Sequence, residues 1–262
     1  MVAAVRLNRP VQTRVDALRV TIDDDAETMA QRAADAAVAV LTRAISERGE
    51  ATAMFATGNS QRRFLAGLVT RPGLDWARVT ALHLDEYVGI PADHPAALRR
   101  YLRTHIAERV TLRAFHYIAG DAADAMAEAA RYAGLLADNP IDLCCVGIGE
   151  NGHLAFNDPP GVRFDDPETV KVVLLADASR NQQVGEGHFA RLADVPTHAI
   201  TVTVPAILRA GSVLAVVPEG RKAPAVHAAL AGPVTPECPA SALRGASHAQ
   251  MFLDRDAATL LT

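Results

Sequence analysis

Apolar and polar positions fall along the chain in blocks whose periods predict strands and helices in turn. Leu18-Arg-Val-Thr-Ile22 has the period of two expected of a strand. Asp23-Asp-Asp25 then offers a cap and first-turn acids for a long alanine-rich helix over 26–48, and Gly49 is placed to stop it. Apolar runs at 51–56, 78–84, 115–118, 141–146, 169–175, 198–202, 212–217 and 249–253 predict further strands. Helices are expected from residue 60 to about 69 and over 95–110, 121–138, 205–209 and 218–230, with a last short one after 253; the 95–110 helix would carry a basic face of Arg99, Arg100 and Arg103. Residues 1–15 read as a lead-in, and no linker-like stretch divides 16–262. The alternation implies an α/β fold: a single-domain three-layer α/β/α sandwich around a mostly parallel, Rossmann-like sheet.

Composition narrows the function classes. With 50% hydrophobic and 21% charged residues among 262, the chain is not disordered. A net charge of −4 gives no global field for nucleic acid, so an anionic ligand needs a local pocket of donors. Cys144 and Cys145 are neighbours on a predicted strand and face opposite ways, and with Cys238 they form neither a disulfide framework nor a metal-ligand spacing. Buried, reduced thiols and a cytoplasmic setting are expected, with no metal. Arg6, Arg9 and Pro10 interrupt the amino terminus too early for a signal peptide, and no window has the length and apolarity of a membrane span.

The most informative segment is Val146-Gly-Ile-Gly-Glu-Asn-Gly-His-Leu-Ala-Phe-Asn-Asp-Pro-Pro160. It follows a predicted strand and delivers His153, Asn151 and Asp158 within a few positions of a glycine-rich turn. Gly147, Gly149 and Gly152 satisfy the letters of a dinucleotide fingerprint. That reading requires a long helix at the third glycine, and Pro159-Pro160 forbid one. A structural tight turn and a functional loop around His153 remain, the second favoured by the titratable imidazole.

A parallel sheet gathers the carboxyl ends of its strands along one edge. Thr57-Gly58-Asn59-Ser60 lies between a strand and a helix, where backbone N–H groups and hydroxyls either cap the helix or hold an anion. Asp85-Glu86-Tyr87 ends another strand, and its first acid either caps a loop or serves as a base tuned by burial. Arg221-Lys222 opens a helix, where the macrodipole disfavours cations unless an anion binds there. Donors for a phosphate, a carboxylate and an imidazole together suit proton transfer on a phosphorylated small molecule.

From about residue 18 onward the chain resembles the glucosamine-6-phosphate deaminase family, within the group that includes 6-phosphogluconolactonases. The carriers are Leu84-Asp-Glu-Tyr-Val-Gly-Ile90 followed by His94, and Gly147-Ile-Gly-Glu-Asn-Gly-His-Leu-Ala-Phe-Asn157, with support from Ala56-Thr-Gly-Asn-Ser60 and Lys222. The resemblance implies an enzyme of amino sugar metabolism that opens glucosamine 6-phosphate, isomerises it and releases ammonia, leaving fructose 6-phosphate, with no cofactor. It implies that Asp85 shuttles a proton between C2 and C1, and that His153 acts in ring opening. Asn151 and Asp158 match further catalytic positions, where the family often has aspartate and glutamate. Thr57, Gly58, Asn59, Ser60 and Lys222 would hold the phosphate, with Glu86 and Gly149 beside the substrate. Asn59 stands where the family has glycine, and Ala97-Leu98 where it has a Ser-Tyr pair. The arginine that usually joins the lysine has no secure match, Arg180 being nearby. Lactone hydrolysis, with His153 activating water, and a catalytically silent sugar-phosphate sensor are the alternatives. The expected partner is a small sugar phosphate, with neither nucleic acid nor membrane; a homo-oligomer is compatible with the sequence.

Overall fold

The computed structural model describes residues 10–261. The strands are β1 (Val11–Val15), β2 (Leu18–Asp23), β3 (Ala51–Phe55), β4 (Val79–His83), β5 (Asp85–Tyr87), β6 (Ala114–His116), β7 (Leu143–Val146), β8 (Val170–Leu174), β9 (His198–Val202), β10 (Ser212–Val217) and β11 (Ala249–Asp254). The helices are α1 (Ala26–Arg48), α2 (Arg62–Thr70), α3 (Leu98–Leu102), α4 (Ala125–Asp138), α5 (Asp177–Gly185), α6 (Val204–Leu208) and α7 (Ala223–Ala231). Eight strands form one sheet in the order β1-β2-β11-β10-β7-β3-β4-β6, parallel except for the β1–β2 hairpin. The expected parallel α/β architecture is therefore present.

Side chains alternate across this sheet as the period of a strand demands. Met54, Leu82, Cys144 and Val213 face one core; Phe55, Ala81, Cys145 and Leu214 face the other. The two adjacent cysteines thus point to opposite layers, and all three thiols are free and buried. On one side α1 packs through Met29, Ala33, Ala37, Leu41 and Ala44, spaced by four and then three residues on a single helical face. The Asp25 carboxylate accepts from Thr28 N–H at 2.7 Å, and Gly49 at φ 83° closes the other end. The opposite layer contains α4, α7 and a second sheet of three antiparallel strands, β5-β9-β8.

Several expectations are corrected. Val11–Val15, placed in the lead-in, pairs along its length with β2; residues 1–9 lie outside the described part. The 95–110 helix begins only at Leu98 and passes into a π-helical turn at Arg103–Ala107. Its start is fixed by Glu86, whose carboxylate takes the N–H groups of Leu98 and Arg99. Arg99, expected on the basic face of that helix, is buried, donating to Asp121 at 2.8 Å and to Ile90 O at 2.9 Å. Residues 255–260 form successive turns, where a last helix was expected. Helix α5 was not anticipated at all: it is mostly polar, and its one fully buried residue is Ser179. No helix among the described residues is long and apolar enough to cross a membrane.

The end of β4 is fixed by one hydroxyl. Tyr132 of α4 accepts from His83 N–H at 2.9 Å and donates to His83 O at 2.8 Å, with every group buried. His83 in turn accepts from Ile118 N–H through Nε2 at 2.8 Å, and burial pushes its imidazole down to about 3, so it is neutral. Replacing Tyr132 by Phe leaves two backbone groups unpaired. It should cost about 1–3 kcal/mol in urea denaturation; an unchanged midpoint would show that the strand end does not depend on this hydroxyl.

Candidate active site

The chain changes direction across the sheet between β3 and β7. From β3 it moves outward through β4 to β6, then returns to β7 and runs the other way through β10 to β11. A crevice at the carboxyl ends of the strands is expected at such a reversal. A cleft lies there, lined by Thr57–Ser60 after β3, Asp85 after β4, Gly147–Gly149 and His153 after β7, and Lys222 after β10. The structure thus brings together Asp85, His153, Thr57, Gly58, Asn59, Ser60, Gly149 and Lys222.

The β3–α2 turn is built to approach an anion. Gly58 sits at φ 100°, a region costly for any residue with a Cβ. The first N–H to bond back is Gln61, to Gly58 O at 3.1 Å, so the N–H groups of Gly58, Asn59 and Ser60 have no backbone partner among the described residues. Tyr101 steadies the turn by donating to Gly58 O at 2.9 Å. Lys222 is 3% exposed, lines the same cleft, and has no ion partner among the described residues. Burial, helped by the neighbouring Arg221, lowers its pKa. An unpaired buried ammonium facing a cleft is costly unless an anion enters.

Asp85 is 6% exposed. Burial pushes its carboxyl up to about 8, and the negative charge of Glu86 adds to the rise. Glu86, expected beside the substrate, is not among the residues that line the cleft. Its carboxylate is fully buried and accepts from the N–H groups of Tyr87, Leu98 and Arg99 at 3.0, 3.0 and 2.8 Å. Burial pushes it up to about 7 against these N–H groups and Arg99. Its role is to hold α3 and the wall at 95–98 against the strand that carries Asp85.

The loop after β7 makes no helix at Gly152, so the dinucleotide geometry is absent. Gly149 has a packing reason to be glycine: a Cβ there would stand 2.1 Å from His153 Cε1. His153 Nδ1 lies 2.7 Å from Asn151 Oδ1, 3.1 Å from Ser179 Oγ and 3.1 Å from Asp158 Oδ1. Asn151 Nδ2 donates to Asp158 at 3.0 Å, and Ser179 donates to the same carboxylate oxygen. These acceptors assign the proton to Nδ1 and leave Nε2 as the nitrogen available to a bound sugar. Asn151 and Asp158, expected as catalytic, do not line the cleft. They orient His153 from behind and are positioning residues. Aspartate at 158 still reaches the ring directly, and Asn151 and Ser179 hold its carboxylate there.

Ser179 was missed because α5 has no apolar stripe to reveal it. The same segment supplies Gln182, Gln183, Glu186 and His188 to the cleft. Arg180 points elsewhere, donating to Leu192 O and Val195 O at 2.8 and 3.1 Å. Arg221 is likewise engaged by carboxylates, leaving Lys222 as the cation of its pair that lines the cleft.

Residues 24–252 match the model of a family described as glucosamine-6-phosphate isomerases/6-phosphogluconolactonase. A glucosamine-6-phosphate deaminase of Listeria innocua is 36% identical over 225 residues, covering 86% of this chain and 94% of that protein. One of Exiguobacterium sibiricum is 38% identical over 189 residues, covering 72% and 73%. Among solved structures, a monomeric glucosamine-6-phosphate deaminase superposes with a TM-score of 0.83 at 28% identity, covering 92% of this chain and 99% of its own. A 6-phosphogluconolactonase from Trypanosoma brucei shares the fold, with a TM-score of 0.75 at 16% identity and coverage of 96% and 100%.

The Asp158 carboxyl is subject to opposing effects. Burial raises it, but hydrogen bonds and charge from His153, with Ser179 and Asn151, outweigh burial and hold it down at about 2. A lowered folded pKa contributes stability above the unfolded value, which is lost as pH falls through the folded one. The stability gap between the native protein and Asp158→Asn should therefore be full above pH 3.8 and close toward pH 2. A gap that does not vary over this window would contradict an ionised Asp158.

Proposed function

The chain belongs to the glucosamine-6-phosphate isomerase/6-phosphogluconolactonase family, and we propose that it converts glucosamine 6-phosphate and water into fructose 6-phosphate and ammonia. The observation that carries this reading is Asp85: a buried carboxyl facing the same cleft as an unpaired buried lysine and an oriented imidazole.

Thr57–Ser60 and Lys222 hold the phosphate, which fixes the sugar along the sheet edge. His153 Nε2 takes the proton of the C1 hydroxyl and passes it to the ring oxygen as the C1–O5 bond breaks, opening the pyranose to the aldehyde. The ionised Asp85 then removes the C2 proton and returns it to C1. C2 is oxidised and C1 reduced, giving a ketimine without an external redox partner. Water adds at C2 and ammonia departs. Burial of Asp85 favours its neutral form in the empty cleft, and the substrate's ammonium opposes that shift when bound.

The isomerase reading is favoured over the lactonase one by the relatives at 36–38% identity, which are named glucosamine-6-phosphate deaminases. Six cleft-lining segments come from this one chain, so the reading is compatible with a homo-oligomer without requiring one. Three free, buried thiols fit a reducing, cytoplasmic setting.

Incubation with glucosamine 6-phosphate should release ammonia and fructose 6-phosphate in equal amounts; 6-phosphogluconolactone hydrolysis without ammonia release from the amino sugar would overturn the assignment. Because Asp85 must be ionised to act, kcat/KM should rise tenfold per pH unit and level off near pH 8. A profile flat from pH 6 to 8.5 would exclude Asp85 as the base that limits the free enzyme.

A further inference from the structure

The phosphate end of the cleft is crowded with carboxylates. Glu150 comes from the loop after β7, Glu186 follows α5, and Glu219 precedes Lys222. With Arg221 and Lys222 they sum to one net negative charge, where a phosphate dianion has to bind. Left to themselves, these acids would neutralise Lys222 and repel the ligand.

Arg221 meets all three. Its Nη1 lies 2.8 Å from Glu186 Oε1 and 3.2 Å from Glu150 Oε1, and its Nε lies 2.6 Å from Glu219 Oε2. The guanidinium fork can serve three carboxylates at fixed angles, which a single ammonium cannot do as well. Glu219 reaches it from a strained backbone, φ 83°, held by N–H donation to both oxygens of the buried Asp254 at 3.1 and 3.0 Å. Glu186 is the critical acid. Its side chain is 6% exposed, and it lines the cleft beside Asn59, whose Nδ2 donates to Glu186 O at 3.4 Å. Its remaining neighbours are Gln182 Nε2 at 2.8 Å and His188 Nε2 at 3.4 Å. All three carboxylates lie within electrostatic range of Lys222, yet none is bonded to it.

We propose that Arg221 is a charge clamp that sets affinity for the phosphate without touching it: by engaging Glu150, Glu186 and Glu219, it keeps them off Lys222 and leaves that ammonium free for the anion. The inference rests on the phosphate-binding reading of Thr57–Ser60 and Lys222. It makes Arg221 a positioning residue whose loss converts the subsite from attractive to self-neutralised. Without the clamp, buried Glu186 turns to the next available cation, Lys222.

The test uses two ligands and two variants. In Arg221→Gln, KM for glucosamine 6-phosphate and Kd for inorganic phosphate should each rise about tenfold or more, with kcat changed much less. Removing the offending charge as well, in Arg221→Gln/Glu186→Gln, should return both constants to within about threefold of native. If Arg221 merely held the loops together, the double variant would bind as weakly as the single one, and that result overturns the proposal. Native-like phosphate binding by the single variant also overturns it. Inorganic phosphate separates this inference from the reaction assigned above. A protein that binds phosphate by this pattern but releases no ammonia supports the clamp while refuting the deaminase assignment.

Discussion

The parallel register of four neighbouring strands, β10-β7-β3-β4, is the constraint on which the site depends. Strands in a sheet lie about 4.8 Å apart, so these four carboxyl ends span roughly 14 Å, about the reach of a hexose phosphate and the side chains around it. Lys222, His153, the Thr57–Ser60 turn and Asp85 follow these strands in the same spatial order. Residues more than 160 positions apart are thereby set side by side, with the anion donors flanking one part of the cleft and the acid at another. A slip of one residue in β4 would turn Leu82 and Ala81 to the wrong cores and carry Asp85 out of place.

The same geometry explains the electrostatics. Asp85 and Glu86 are consecutive, buried, and opposite in role. Three N–H groups and Arg99 hold Glu86 in the scaffold, while Asp85 keeps its carboxyl for the cleft. At the other end, Lys222 is kept unpaired while its neighbour Arg221 engages the acids. Behind His153, Asn151, Ser179 and Asp158 fix the tautomer. His153 is thus held through Nδ1 while Nε2 stays free, and Asp85 and Lys222 keep their charged ends for the cleft.

What was legible in the sequence follows from what periodicity records. Strands β7, β9 and β10 are buried apolar runs, and α1 carries caps at both ends, so their positions were readable. The strand ends at Thr57–Ser60, Asp85 and Gly147–His153 were readable because glycines and polar groups interrupt apolar runs there. Helix α5 was not, because it packs through Ser179 and leaves no apolar stripe. Ser179, Gln182, Glu186 and His188 were therefore invisible as parts of the site. The capping of α3 by Glu86 was not legible, because a carboxylate that caps a helix twelve residues on looks, in sequence, like one that meets a ligand. The small sheet β5-β9-β8 escaped notice since its pairing is set by tertiary contact, with only three residues in β5.

In the proposed reaction Asp85 moves a proton between two carbons of a sugar whose phosphate is held by Thr57–Ser60 and Lys222. The direct measurement is hydrogen exchange at C1 and C2, followed by NMR during turnover of glucosamine 6-phosphate in deuterated water. Native protein should place deuterium on C1 of the fructose 6-phosphate formed to the extent that the Asp85 proton exchanges with solvent before its return, and folded Asp85→Asn should place almost none. Undiminished incorporation by that variant would show that another group carries the proton and would contradict the central claim.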